Sequence, residues 1–134
     1  LGNAQKWGSL GADREGIHAS RKVIVTTEKV VDPDVIRRDP NLTLIPGFRV
    51  SAVVEQPWGA YPVHLSGCYN GDIWGFMRET KDKEGLDRYL EAFVHSVGDW
   101  REFLDKRRAL KGDDHFERLK IKGPVVSEPI VTGY

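Results

Sequence analysis

Residues 20–57 read SRKVIVTTEKVVDPDVIRRDPNLTLIPGFRVSAVVEQP, and this stretch decides the fold. Val23, Ile24 and Val25 form an unbroken β-branched run, followed by Thr26 and Thr27. Such a run suits a strand covered on both faces, as in a parallel sheet. DPDVIRRDP then reads as one short helix. Asp32 can accept at its N-cap, Pro33 suits its first position, and Asp34 favours the positive end of its dipole. Pro40 pushes Asp39 out of helical geometry and closes it. Leu42 to Phe48 is extended and broken by a turn at Pro46 and Gly47. A second strand follows, with Val50, Ala52 and Val54 on one face and Ser51, Val53 and Glu55 on the other. Strand, helical connection, strand is a βαβ pattern and predicts an α/β domain.

Outward from this stretch the texture changes. GADREGIHAS, ahead of it, reads as a short polar helix. Behind it, Leu86, Tyr89, Leu90, Phe93, Val94 and Val97 recur at helical spacing and predict a long amphipathic helix that Gly98 can end. Asp99 and Glu102 form a capping box for another helix, whose apolar face is Trp100, Phe103 and Leu104. KRRALKGDDHFERLKIKG reads as a charged, solvated stretch with room for one more helical turn, and PVVSEPIVTGY as an extended tail. The opening LGNAQKWGSLG has no Met and no lead-in element, and reads as the start of a fragment or processed piece, with an exposed flexible terminus as the alternative.

The 134 residues amount to one domain, 40% apolar and 30% charged, with a net charge of zero. Nucleic-acid and membrane-surface roles want a basic excess, which is missing. A single cysteine, Cys68, cannot close an internal disulfide, so a reducing, cytoplasmic setting is expected. No run approaches the ~18 apolar residues of a membrane span.

No metal-ligand spacing, phosphate-cradling loop or nucleophile elbow is present, and no metal is expected. His18, His64, His95 and His115 are scattered. His95 lies at the edge of the long helix. His64 follows the corner PWGAYPV and is better placed to reach a crevice at the end of a strand. Cys68 reads as a structural cysteine rather than a nucleophile. Glu28, just past a strand, either bonds neighbouring backbone or ionises in a cleft. Trp58 and Tyr61 flank Gly59 and Ala60 between two prolines; such a corner either plugs a sheet or lines a site.

Three ordered blocks carry a resemblance: VIVTTEKVVD, IRRDPN and PWGAYP, preceded by GNAQKWG. Together they resemble the A subunit of family I CoA-transferases, in particular the glutaconate type, over about residues 2 to 105. The resemblance implies an open, mostly parallel α/β sheet of CoA-transferase type with carboxy-terminal helices. It divides the chain into residues 1–110 (a 1–66 α/β core and a 67–110 helical part) and a charged segment and tail, 111–134. It implies an enzyme subunit that helps move CoA between carboxylic acids through a glutamyl-CoA intermediate formed on a partner.

No glutamate here matches that nucleophile, so no catalytic residue is carried over. Trp58, Gly59, Ala60, Tyr61 and His64 are the expected pocket or interface residues. The expected partners are a B-type subunit and the missing amino-terminal part of the chain's own subunit. The substrate is a CoA thioester and no bound cofactor is implied. A CoA-thioester hydrolase of the same fold, of the ring-opening type found in steroid breakdown, and a non-catalytic interaction domain are the alternatives.

Overall fold

The computed structural model describes residues 2–8 and 11–123; the tail PVVSEPIVTGY therefore lies outside the described residues. The chain divides into two compact units, residues 1–60 and 61–134.

The first unit holds β1 (Ala4–Gln5), α1 (Asp13–Ala19), β2 (Val23–Thr27), α2 (Pro33–Arg37), β3 (Thr43–Ile45) and β4 (Val50–Glu55). β2 and β4 pair in parallel, with Ile24 opposite Ala52, Val25 opposite Val53 and Thr27 opposite Glu55. The βαβ expectation holds. β1 and β3 form a separate antiparallel pair, so the strands are mixed rather than mostly parallel. Asp32 caps α2 by accepting the Asp34 N–H at 2.8 Å, with Pro33 at the first position. One nitrogen of Arg49 donates to the carbonyls of Ile17, His18 and Ser20, closing the end of α1.

The expected coverage of both faces of β2 is not found. Val23, Val25 and Leu44 are buried, but Ile24 is 68% exposed. Its neighbours on the same face of the ladder, Ala52 and Val54, are also exposed. The β-branched run is apolar on both sides, but among the described residues nothing covers the Ile24 side.

The second unit is helical: α3 (Ile73–Glu79), α4 (Lys83–Leu90) running into a wide turn over Glu91–His95, α5 (Trp100–Lys111) and α6 (His115–Leu119). α3 lies within the 67–110 part expected to be helical, but the sequence reading singles out no helix there. Rings form its core: Tyr61, Tyr69, Phe93, Phe103 and Phe116 are all buried. Phe76 meets Tyr89 edge-on at 5.1 Å, and Phe93 meets Phe103 at 5.9 Å. α5 begins as the capping box predicts: Asp99 accepts the Glu102 N–H at 2.8 Å, and the Glu102 carboxylate accepts the Gly98 N–H.

The apolar stripe of the long helix needs correcting. Gly85 is its buried residue in α4, and a Cβ there would run into the Glu79 carbonyl. The inner face therefore runs Gly85, Tyr89, Phe93 at intervals of four, leaving Leu86 and Val94 exposed beside it. The Ser96 N–H bonds the Glu91 carbonyl five residues back, which widens the last turn and ends the regular register.

Candidate functional site

In an open parallel sheet, ligands sit beyond the carboxyl ends of the strands. At that end of the β2–β4 ladder the Gln56 N–H donates to the Thr27 carbonyl at 2.7 Å, extending the pairing by one residue. The chain then turns at once. The Gly59 N–H bonds the Gln56 carbonyl at 2.9 Å, with Pro57 second and Trp58 third. Trp58 has a φ of +63°, so this is a type II turn carrying a bulky aromatic where glycine or asparagine belongs. A left-handed non-glycine residue costs about 1–3 kcal/mol and persists only when its surroundings hold it. Glu28, the first residue past β2, does so: its two carboxylate oxygens accept the Trp58 N–H at 2.8 and 2.9 Å. Of the two readings of Glu28, the backbone hydrogen bond is the one found.

The expected site residues fall on either side of the division between units. Trp58 is half-buried and Gly59 exposed; a Cβ on Gly59 would come within 2.8 Å of the Gln56 carbonyl oxygen. Ala60 is the last residue of the first unit. Tyr61 opens the second unit and is buried in its core. His64 is exposed in the loop before α3, not at the end of a strand. Cys68 is half-buried.

Around the Tyr61 hydroxyl is a cluster absent from the sequence reading, and its Arg107, Lys111 and His115 come from the stretch expected to be solvated. Arg107 has no exposed surface. Its Nε and one terminal nitrogen donate to the Tyr61 oxygen at 3.2 and 3.1 Å, and both terminal nitrogens donate to the Glu79 carboxylate. Its guanidinium lies 4.8 Å from the Phe93 ring centre. His115 Nε2 lies 3.2 Å from the Tyr61 oxygen, which also donates to Asp72 at 3.3 Å. Lys111 pairs with Glu79, and with Asp72 at 3.5 Å.

Burial pushes the Tyr61 hydroxyl up to about 12, against the opposing pull of Arg107, so it stays protonated. Burial also favours the neutral form of Glu79, but its hydrogen bonds to Arg107 and Lys111 outweigh this and hold it below the usual carboxylate range. His115 is lowered, by burial first and then by Arg107, Lys111 and Arg118, with Asp72 opposing. The cluster is thus an ionised lock closed around a neutral phenol, and its chemistry is that of a scaffold. One signal was available in the sequence: Trp100, Phe103 and Arg107 share a helical face, which puts a cation on an apolar stripe.

The fold and the ladder's end define a class: an α/β chain whose parallel strands run out into a clamped aromatic turn. No family model matches the sequence. The A subunit of glutaconate CoA-transferase from Acidaminococcus fermentans is 33% identical over 113 residues, 82% of this chain and 35% of its own length. The A subunit of 3-oxoadipate CoA-transferase from Pseudomonas knackmussii is 29% identical over 110 residues, 78% of this chain and 38% of its own length. An uncharacterized protein of Archaeoglobus fulgidus is 38% identical over 122 residues, 89% of this chain and 27% of its own length. The crystal structure of the A. fermentans glutaconate coenzyme A-transferase superposes with a TM-score of 0.74 at 31% identity, over 89% of this chain and 37% of that one. The chain is a homologue of the family I CoA-transferase A subunits, and it spans roughly a third of the length of the relatives it matches. No helix among the described residues is long and apolar enough to cross a membrane.

Proposed function

We propose that this chain is part of the A subunit of a CoA-transferase that moves CoA between carboxylic acids. The observation that carries the reading is the agreement of sequence and fold: 33% identity to the A subunit of a glutaconate CoA-transferase and a TM-score of 0.74 to a solved transferase. The nucleophile is a glutamate of a B-type partner, which forms an anhydride and then a glutamyl-CoA thioester. This chain's contribution is binding and orientation. Trp58, Gly59 and Ala60 shape the end of the ladder. Tyr61 and His64, in the second unit, are further substrate-pocket or interface residues of the assembled enzyme. The amino-terminal part of the same subunit and the B-type partner complete the enzyme, which works in the cytoplasm on acyl-CoA thioesters.

The test is an exchange assay with isotopically labelled acetate and several acyl-CoA donors, on the chain alone and on its assembly with a B-type partner and the rest of its own subunit. The chain alone is inactive, and the assembly forms labelled acetyl-CoA. Turnover by the isolated chain would falsify the division of labour. An assembly that releases free CoA without acetate is a hydrolase, and the transferase reading fails.

A further inference from the structure

The carboxyl end of the β2–β4 ladder is clamped twice, and the clamps cross. Glu28, at the exit of β2, accepts the N–H of Trp58 in the turn that leaves β4. Glu55, the last residue of β4, accepts the Val30 N–H at 2.7 Å in the segment that leaves β2. Each strand's exit carboxylate thus fixes the backbone leaving the other strand. A turn of this type closes without such help when glycine is third, because glycine enters the left-handed region freely. Here the third residue is tryptophan, the bulkiest side chain available, and the clamp holds it in a conformation it resists. A strained aromatic at the ligand end of parallel strands, its backbone held by the Glu28 carboxylate while Glu55 ties down the segment that follows Glu28, is costly as a plug and useful as a preset wall.

We propose that Glu28 is the positioning residue of this site, with Glu55 as its counterpart, and that together they hold the Trp58 indole in place as a specificity-determining wall for a flat or apolar part of a CoA thioester. The ligand rests on the transferase reading above; the clamp does not. Two parts of the ligand share the required chemistry, the acyl group and the adenine ring.

The experiment compares Trp58→Gly, Glu28→Ala and Glu28→Gln in the assembled enzyme, by thermal melting, by KM and kcat over an acyl-CoA series, and by binding of free CoA. Trp58→Gly melts at or above the wild-type temperature, because glycine relieves the turn, while KM rises about tenfold or more with little change in kcat. Glu28→Ala melts lower, speeds hydrogen exchange at the Trp58 amide and raises KM similarly. Glu28→Gln keeps an accepting oxygen and recovers most of that loss. A KM rise that depends on the acyl group assigns the wall to the acyl chain; a uniform rise with equal weakening of free CoA assigns it to adenine. A Trp58→Gly enzyme that melts well below wild type with KM unchanged makes the ring a plug and overturns the proposal, as does an unchanged KM in Glu28→Ala. Failure of the wild-type assembly to bind any acyl-CoA overturns the transferase reading and the wall with it. The melting pair and the Trp58 amide then decide the clamp alone.

Discussion

A guanidinium without exposed surface must place its protons on neighbours, and Arg107 gives four of its five to Tyr61 and Glu79. Removing it leaves the Glu79 carboxylate and the Tyr61 hydroxyl without their main partner in a partly dry setting. Arg107→Met should therefore cost about 3 kcal/mol or more, read from denaturant unfolding of the chain. Arg107→Lys should rescue little, since one point charge cannot bridge both acceptors. Arg107→Met combined with Glu79→Met should recover much of the loss, because the carboxylate that lost its main partner is gone and Lys111 still faces Asp72. Additive losses in the double variant would refute the pairing.

His115 adds a pH dependence. Its folded pKa lies below its ordinary 6.5, so between the two the unfolded chain binds more protons. Its contribution is complete above pH 6.5 and is lost as pH falls through the folded value. Glu79, also lowered, adds a further loss below its ordinary 4.5. Melting from pH 8 to pH 3 should show stability falling below pH 6.5 and again below pH 4.5, and His115→Gln should flatten the first part of that fall while leaving the Glu79 part. An unchanged slope in His115→Gln would show that protonation of this ring does not govern acid stability.

At the scale of the element, local chemistry carried most of what the sequence revealed. The α5 capping box is the clearest case: Asp99→Ala should cost about 1 kcal/mol, and Glu102→Gln less, since an amide still accepts from the Gly98 N–H. A thermal shift no larger than that of a surface control would mean the cap is replaced by water. Asp32 with Pro33 was legible for the same reason, as was the parallel ladder, because caps and β-branched runs act within a few residues. The misses share a different cause. Gly85 carries no hydropathy signal, yet it sets the inner face of α4 through a close approach to Glu79. α3 went unseen because its buried residue is again a glycine, Gly75, where a Cβ would run into the Asp72 carboxylate. Arg107 and His115 were assigned to a solvated stretch because polar residues are usually exposed, and only tertiary neighbours such as Asp72 and Glu79 make their burial tolerable. The Trp58 turn shows the same limit: Pro57 and Gly59 announced a turn, but its hand and its Glu28 restraint depend on a residue thirty positions away.

At the scale of the molecule, the β2–β4 ladder is unusual in what it leaves open. Parallel strands are normally buried on both faces, and isolated two-stranded sheets are marginal in water. Here Ile24, Ala52 and Val54 share an exposed face. β-branched residues on such a surface suit another layer of protein better than they suit solvent. In the proposed assembly, that layer comes from the rest of the subunit or from the B-type partner. Ile24→Lys and Val54→Lys should then separate folding from assembly. Each changes a solvent-facing position, so the isolated chain should lose no more than about 0.5 kcal/mol. In the assembly, each must bury an unpaired ammonium, which costs several kcal/mol and should lower the affinity between the pieces by about a hundredfold or more. Size-exclusion chromatography of the reconstituted pieces at micromolar concentration would show the variant chain eluting alone while wild type co-elutes. Co-elution of both variants at wild-type affinity would mean that this face stays open to solvent in the enzyme. The covering layer would then have to be sought at the outer edges of β2 and β4, which pair with no further strand among the described residues.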